Sequence, residues 1–81
     1  MRISEILETK EVVDYLSGRG LVEQYKKVKQ YLLLGLFSSV ALKKRQPKSS
    51  GVWYFRINKQ FRAYAYISGS VMKVFYIDNH Q

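Results

Sequence analysis

The chain reads as an α+β domain: an N-terminal helix hairpin packed on one face of a three- to four-stranded antiparallel sheet. Three observations predict this. Apolar residues fall at helical spacing through residues 9–34, aromatic and β-branched residues alternate with polar ones through residues 52–77, and a polar connector separates the two halves. With 81 residues and 47% of them hydrophobic, the chain has material for one thin core, so residues 1–81 are expected to form a single domain.

Thr9 followed by residues 10–16 has the pattern of an N-cap and a short amphipathic helix. Val12, Val13 and Leu16 lie on one side, and Gly18 and Gly20 close the helix near Ser17. Over residues 21–34, Leu21, Tyr25, Val28, Tyr31 and Leu32 keep helical spacing while Lys26, Lys27, Lys29 and Gln30 fill the other side. Gly35 is a natural stop. Two helices joined by so short a link form a hairpin whose apolar stripe needs a cover. Residues 2–7 suit either a helical turn or a short extra strand. Residues 36–51 form the connector, with a short extended piece expected at residues 40–42.

Residues 52–57, 61–67 and 71–77 read as three strands of a meander, separated by Asn58-Lys59-Gln60 and Ser68-Gly69-Ser70. Alternation assigns Trp53, Phe55 and Ile57 to one face, together with Phe61, Ala63, Ala65 and Ile67, and this face should receive the hairpin. The opposite parity holds Tyr54 and Arg56, then Arg62, Tyr64 and Tyr66. The outward face is therefore expected to be basic and aromatic.

The net charge is +8, and residues 43–62 contain seven basic groups and no acidic one. A single-sign field this local fits an anionic partner, most commonly a nucleic acid, or a basic loop kept for solubility. Lys43, Lys44, Arg45 and Lys48 are the candidate RNA-binding cations of this stretch, and Tyr54, Tyr64 and Tyr66 either stack on splayed bases, as recognition of single-stranded RNA requires, or simply fill the sheet surface.

Several classes are excluded by composition. Neither phosphate-cradling glycine motif is present, and one His with no Cys makes no structural zinc site, so no metal and no small-molecule cofactor are expected. No apolar run approaches the ~20 residues of a spanning helix, and the N-terminus lacks a basic stretch followed by an apolar one. A cytoplasmic protein with no membrane partner is expected. His80 is the only side chain whose ordinary pKa lies near neutrality, which makes it the candidate general acid or base, although a histidine this close to the end of a chain is more often an exposed tail.

Residues 51–66, GVWYFRINKQFRAYAY, and residues 71–80, VMKVFYIDNH, resemble the RelE/ParE toxin superfamily of toxin–antitoxin systems. The resemblance covers residues 9–80, the preceding hairpin agrees with it, and it implies a RelE-like fold. The spacing is most similar to the YoeB-like and HigB-like ribonucleases, whose Arg-Ile-x-x-x-x-Arg pattern matches Arg56, Ile57 and Arg62 and whose C-terminal histidine matches His80. By that resemblance Arg62 would stabilise the transition state at the scissile phosphate, Arg56 would support phosphate binding and His80 would move the proton. The chain departs from the family pattern in three places, the first being the N-terminal strand, which is at best residues 2–6 and whose loss would leave the usual four-stranded sheet with three strands. The YoeB-like glutamate before the first meander strand is missing, and Gln81 stands where a tyrosine follows the histidine.

The resemblance thus implies the toxin of a type II system, a metal-independent, ribosome-dependent endoribonuclease acting on mRNA and inhibiting translation. Its partners would be a cognate acidic antitoxin, mRNA and the ribosome. A ParE-like inhibitor of DNA gyrase and a non-catalytic RNA-binding or interaction module are the alternatives on the same fold.

Overall fold

A computed structural model describes residues 1–79. The elements run β1 (Glu5–Glu8), α1 (Lys10–Gly18), α2 (Val22–Leu33), a single-turn 3-10 helix (Phe37–Val40), β2 (Lys43–Lys44), a second such turn (Lys48–Ser50), β3 (Val52–Arg56), β4 (Phe61–Ser68) and β5 (Val71–Asn79). The strands form one sheet in the order β1-β5-β4-β3-β2. The α+β class and the hairpin stand as expected, whereas the sheet is five-stranded and mixed rather than three- to four-stranded and antiparallel. Two short edge strands account for the difference. Residues 5–8 pair in parallel with residues 71–74, and Lys43 and Lys44 pair antiparallel with Tyr54 and Trp53.

Thr9 caps α1 by accepting a hydrogen bond from the Val12 amide at 3.3 Å. The helix buries Val12 and Leu16, but Val13 is 48% exposed, so its buried stripe is narrower than the spacing suggested. Tyr15 joins Val12 and Leu16 against the core, and Val13, rotated about 100° from Val12 around the helix, falls off that stripe. From α2, Tyr25, Val28 and Leu32 are buried. Residues 40–42 are not extended. Val40 ends the first 3-10 turn and Ala41 takes a left-handed conformation (φ 53°), which turns the chain into β2.

The helices lie on the sheet face that carries Phe55, Ile57, Phe61, Ala63, Ala65, Met72, Val74 and Ile77, and together they form one apolar cluster. Ala63 and Ala65, on the central strand, are completely buried. Their small size lets the larger side chains of both layers meet over them.

At the corner where β1 becomes α1, Glu8 Oε2 accepts a hydrogen bond from the Tyr25 hydroxyl (2.9 Å) and lies 3.0 Å from Lys29 Nζ. Burial and then the Glu8 charge push the Tyr25 hydroxyl far above its ordinary value of 10.0. No described helix is long and apolar enough to cross a membrane.

Two outcomes follow. Because the folded pKa of Tyr25 is raised, its contribution to stability is complete below pH 10.0 and is lost as pH climbs above it. Urea midpoints measured up the alkaline range should fall more steeply for wild type than for Tyr25→Phe. Ala65→Leu overfills the centre of the core and should lower stability by about 1–3 kcal/mol in urea unfolding.

Candidate nucleic-acid interface

The face of the sheet turned away from the helices is organised in rows that cross the strands. In one row Lys43, Tyr54, Tyr64 and Tyr76 stand opposite one another on β2, β3, β4 and β5. The ring centroids of Tyr54 and Tyr64 are 5.9 Å apart, as are those of Tyr64 and Tyr76, giving three consecutive tilted rings. The adjacent row consists of Arg56, Arg62 and Asp78.

Tyr76 and Asp78 reach this face because β5 contains a bulge. Tyr64 pairs with Tyr76 but Ala65 pairs with Val74, so Phe75 is an extra residue. Strict alternation from Met72 and Val74 would send Tyr76 and Asp78 toward the helices. The bulge resets the phase, and Ile77 becomes the next buried side chain. Phe75 itself stacks on Tyr66, with centroids 4.7 Å apart and planes at 20°.

Two guanidinium groups sit on the tyrosines. Arg62 Cζ lies 4.7 Å from the Tyr54 centroid and Arg45 Cζ lies 5.4 Å from that of Tyr64, both within cation–π range. Arg62 is half-buried and flanked in register by Arg56 on one side and Asp78 on the other. Like charges directly opposite on neighbouring strands cost stability, and an anion placed between Arg56 and Arg62 removes that cost. Asn58 shapes the turn beside them. Its Oδ1 accepts hydrogen bonds from the amides of Gln60 and Phe61, both at 2.8 Å.

The residues singled out in the sequence are thus partly brought together. Lys43, Arg45, Tyr54, Arg56, Arg62 and Tyr64 share the outer face. Lys44 has the opposite parity and places its ammonium 5.5 Å from the Trp53 ring centroid, on the helix side. Lys48 is exposed in the second 3-10 turn, away from the tyrosine row. Tyr66 is half-exposed and lies one row further along, opposite Val52 and Lys73. His80 lies outside the described residues.

Sequence reasoning missed Tyr76 and Asp78. The signal was present in the spacing of Met72, Val74 and Ile77, which breaks from two residues to three and marks a change of face. Asp78 is the one carboxylate in these rows among the described residues. No three described His, Cys, Asp or Glu residues come together as a metal ion would require.

Chemically, the face offers a row of three tilted aromatic rings, bordered by guanidinium groups suited to bidentate contact with phosphate. This is the combination that holds unstacked bases and a backbone together. No family model matches the chain, nor does any curated protein or solved structure.

Arg56→Gln removes the like-charge opposition to Arg62. It should stabilise the fold by about 0.2–1 kcal/mol at low ionic strength. Urea unfolding at two salt concentrations checks this, since the gain should shrink as salt screens the pair.

Proposed function

We propose that this chain is an RNA-directed toxin of the RelE/ParE kind, a metal-independent endoribonuclease that acts on mRNA at the ribosome and is held in check by an acidic antitoxin. The observation that carries the reading is the Tyr54–Tyr64–Tyr76 row with Arg62 and Arg45 seated on it and the Arg56–Arg62 pair alongside. Bases stack on the tyrosines and the scissile phosphate lies against the paired arginines.

In this reading the ribose 2′-hydroxyl gives up its proton and its oxygen attacks the adjacent phosphorus. The bond from phosphorus to the 5′-oxygen breaks, that oxygen takes up a proton, and a cyclic phosphate remains. Arg62 and Arg56 stabilise the extra negative charge of the pentacoordinate phosphorus, a role that needs fixed donors more than sequence readout. Arg62 is suited to it because the Tyr54 ring and the neighbouring strands limit its freedom. The resemblance assigns proton transfer to His80. Asp78, the register partner of Arg62, is a second group able to accept the 2′-hydroxyl proton. An acidic antitoxin would cover the outer face by charge, folding as it binds. The site of action is the cytoplasm.

A second reading, an RNA-binding module without turnover, is favoured by the single carboxylate of the outer rows. Induced expression in a bacterial host separates the two, with growth followed alongside primer-extension mapping of translated messages. Wild type should arrest growth and leave new ends inside coding sequence. Arg62→Ala should lower cleavage about 10²–10³-fold, the scale of losing one transition-state donor. Arg62→Lys should not restore it, because an ammonium lacks the planar fork. Growth arrest with intact messages sinks the ribonuclease reading and points to gyrase, while RNA binding with neither arrest nor cleavage supports the module.

A further inference from the structure

Arg56 faces two surfaces. Besides standing in the outer rows, it lines a cleft of about 400 Å³ bounded by α2, the Phe37–Val40 turn and the β3–β4 turn. That volume lies in the range of small-ligand sites. Lys27 and Lys59 also line it, and no Asp or Glu does. Among the described residues none of these three cations has a carboxylate within ion-pair distance, whereas Lys26 and Lys29, on the same helix, pair with Glu23 and Glu8.

One wall of the cleft is held rigidly. Asn58 accepts two backbone hydrogen bonds through Oδ1 and donates through Nδ2 to Gln24 Oε1 at 2.6 Å, tying the turn to α2. Tyr31, packed against the core, contributes an aromatic lining. Three unneutralised cations, one ring and fixed amide groups in a concavity suit a group that is anionic at one end and flat at the other, which is the chemistry of a nucleotide.

A smaller notch at the turn itself is lined by Arg56, Lys59 and Arg62, again with no acidic residue. Cations therefore continue from the outer face, over the turn and into the cleft. We propose that the cleft is a second RNA subsite, which takes a nucleotide of the same strand whose neighbours lie on the tyrosine row, so that the strand bends over the β3–β4 end of the sheet. This rests on the outer face binding RNA. It assigns to α2, which the outer face does not include, a direct part in holding the strand.

The test compares wild type with Lys27→Ala/Lys59→Ala, using a single-stranded trinucleotide and an RNA of roughly eight nucleotides. Binding is followed by fluorescence anisotropy over a range of salt, and circular dichroism confirms that the variant, altered at two exposed positions, is folded. The trinucleotide should bind both proteins equally. The longer RNA should bind the variant about tenfold more weakly, with a salt slope shallower by about 1.4, the value for two lost phosphate contacts on a single strand. Lys27→Arg/Lys59→Arg should restore both.

Equal binding of the longer RNA by wild type and variant, with the trinucleotide still bound, overturns the subsite and leaves the outer-face reading standing. Equal weakening for both lengths also overturns it, because the lysines then act only through their distant field. A wild type that binds neither RNA overturns the subsite together with the reading beneath it.

Discussion

Burial of one side of β4 is the constraint on which both the core and the outer face depend. Phe61, Ala63 and Ala65 are buried beneath the helices, and with a side-chain period of two, Arg62, Tyr64 and Tyr66 must point the other way. A slip of one residue would bury an arginine and two tyrosines and expose the alanines on which the two layers meet. The penalty for burying an unpaired guanidinium makes that register inaccessible. The apolar half of the strand therefore positions the polar half. β4 also lies between β3 and β5, so its register is passed to Tyr54 and Arg56 on one side and to Tyr76 and Asp78 on the other.

The outer face carries features that do not serve stability. Arg56 and Arg62 oppose each other, a bulge interrupts the β4–β5 ladder, and Tyr66 and Tyr76 are half-exposed. Local rules of sheet design are broken along the length of one face, while no buried polar side chain among the described residues lacks a partner. Such a concentration is what a binding surface looks like when the rest of the fold is consistent with itself. The cleft behind the β3–β4 turn shares Arg56 with this face and extends the same imbalance of charge around the sheet.

The edges of the sheet are handled differently. β1 is four residues long and ends where Thr9 caps α1, and its last residue, Glu8, is fixed by Tyr25 and Lys29. The N-terminal segment is thereby clasped to the hairpin as well as to β5. β2 has only two residues, both exposed lysines, a length and charge that discourage pairing with another chain. Its alternation divides the basic connector, sending Lys43 to one face and Lys44 to the other.

Periodicity within the chain determined the two helices, the three meander strands, the inward residues of the first two and the basic aromatic character they give the outer face, because each rests on side-chain spacing over a few residues. Tertiary structure alone decided the rest. Residues 2–7 are compatible with a turn of helix until the strand to which residues 5–8 pair is present, and the Ser4–Ser70 hydrogen bond beside that pairing spans 66 positions. Tyr76 and Asp78 joined Tyr64 and Arg62 through a bulge, whose placement depends on the register of β4 against β5. The cleft that unites Lys27 with Lys59 exists only once α2 has settled on the sheet. Local spacing specifies which face a side chain occupies within its own element, whereas packing specifies which elements, and hence which charges, come to share a surface.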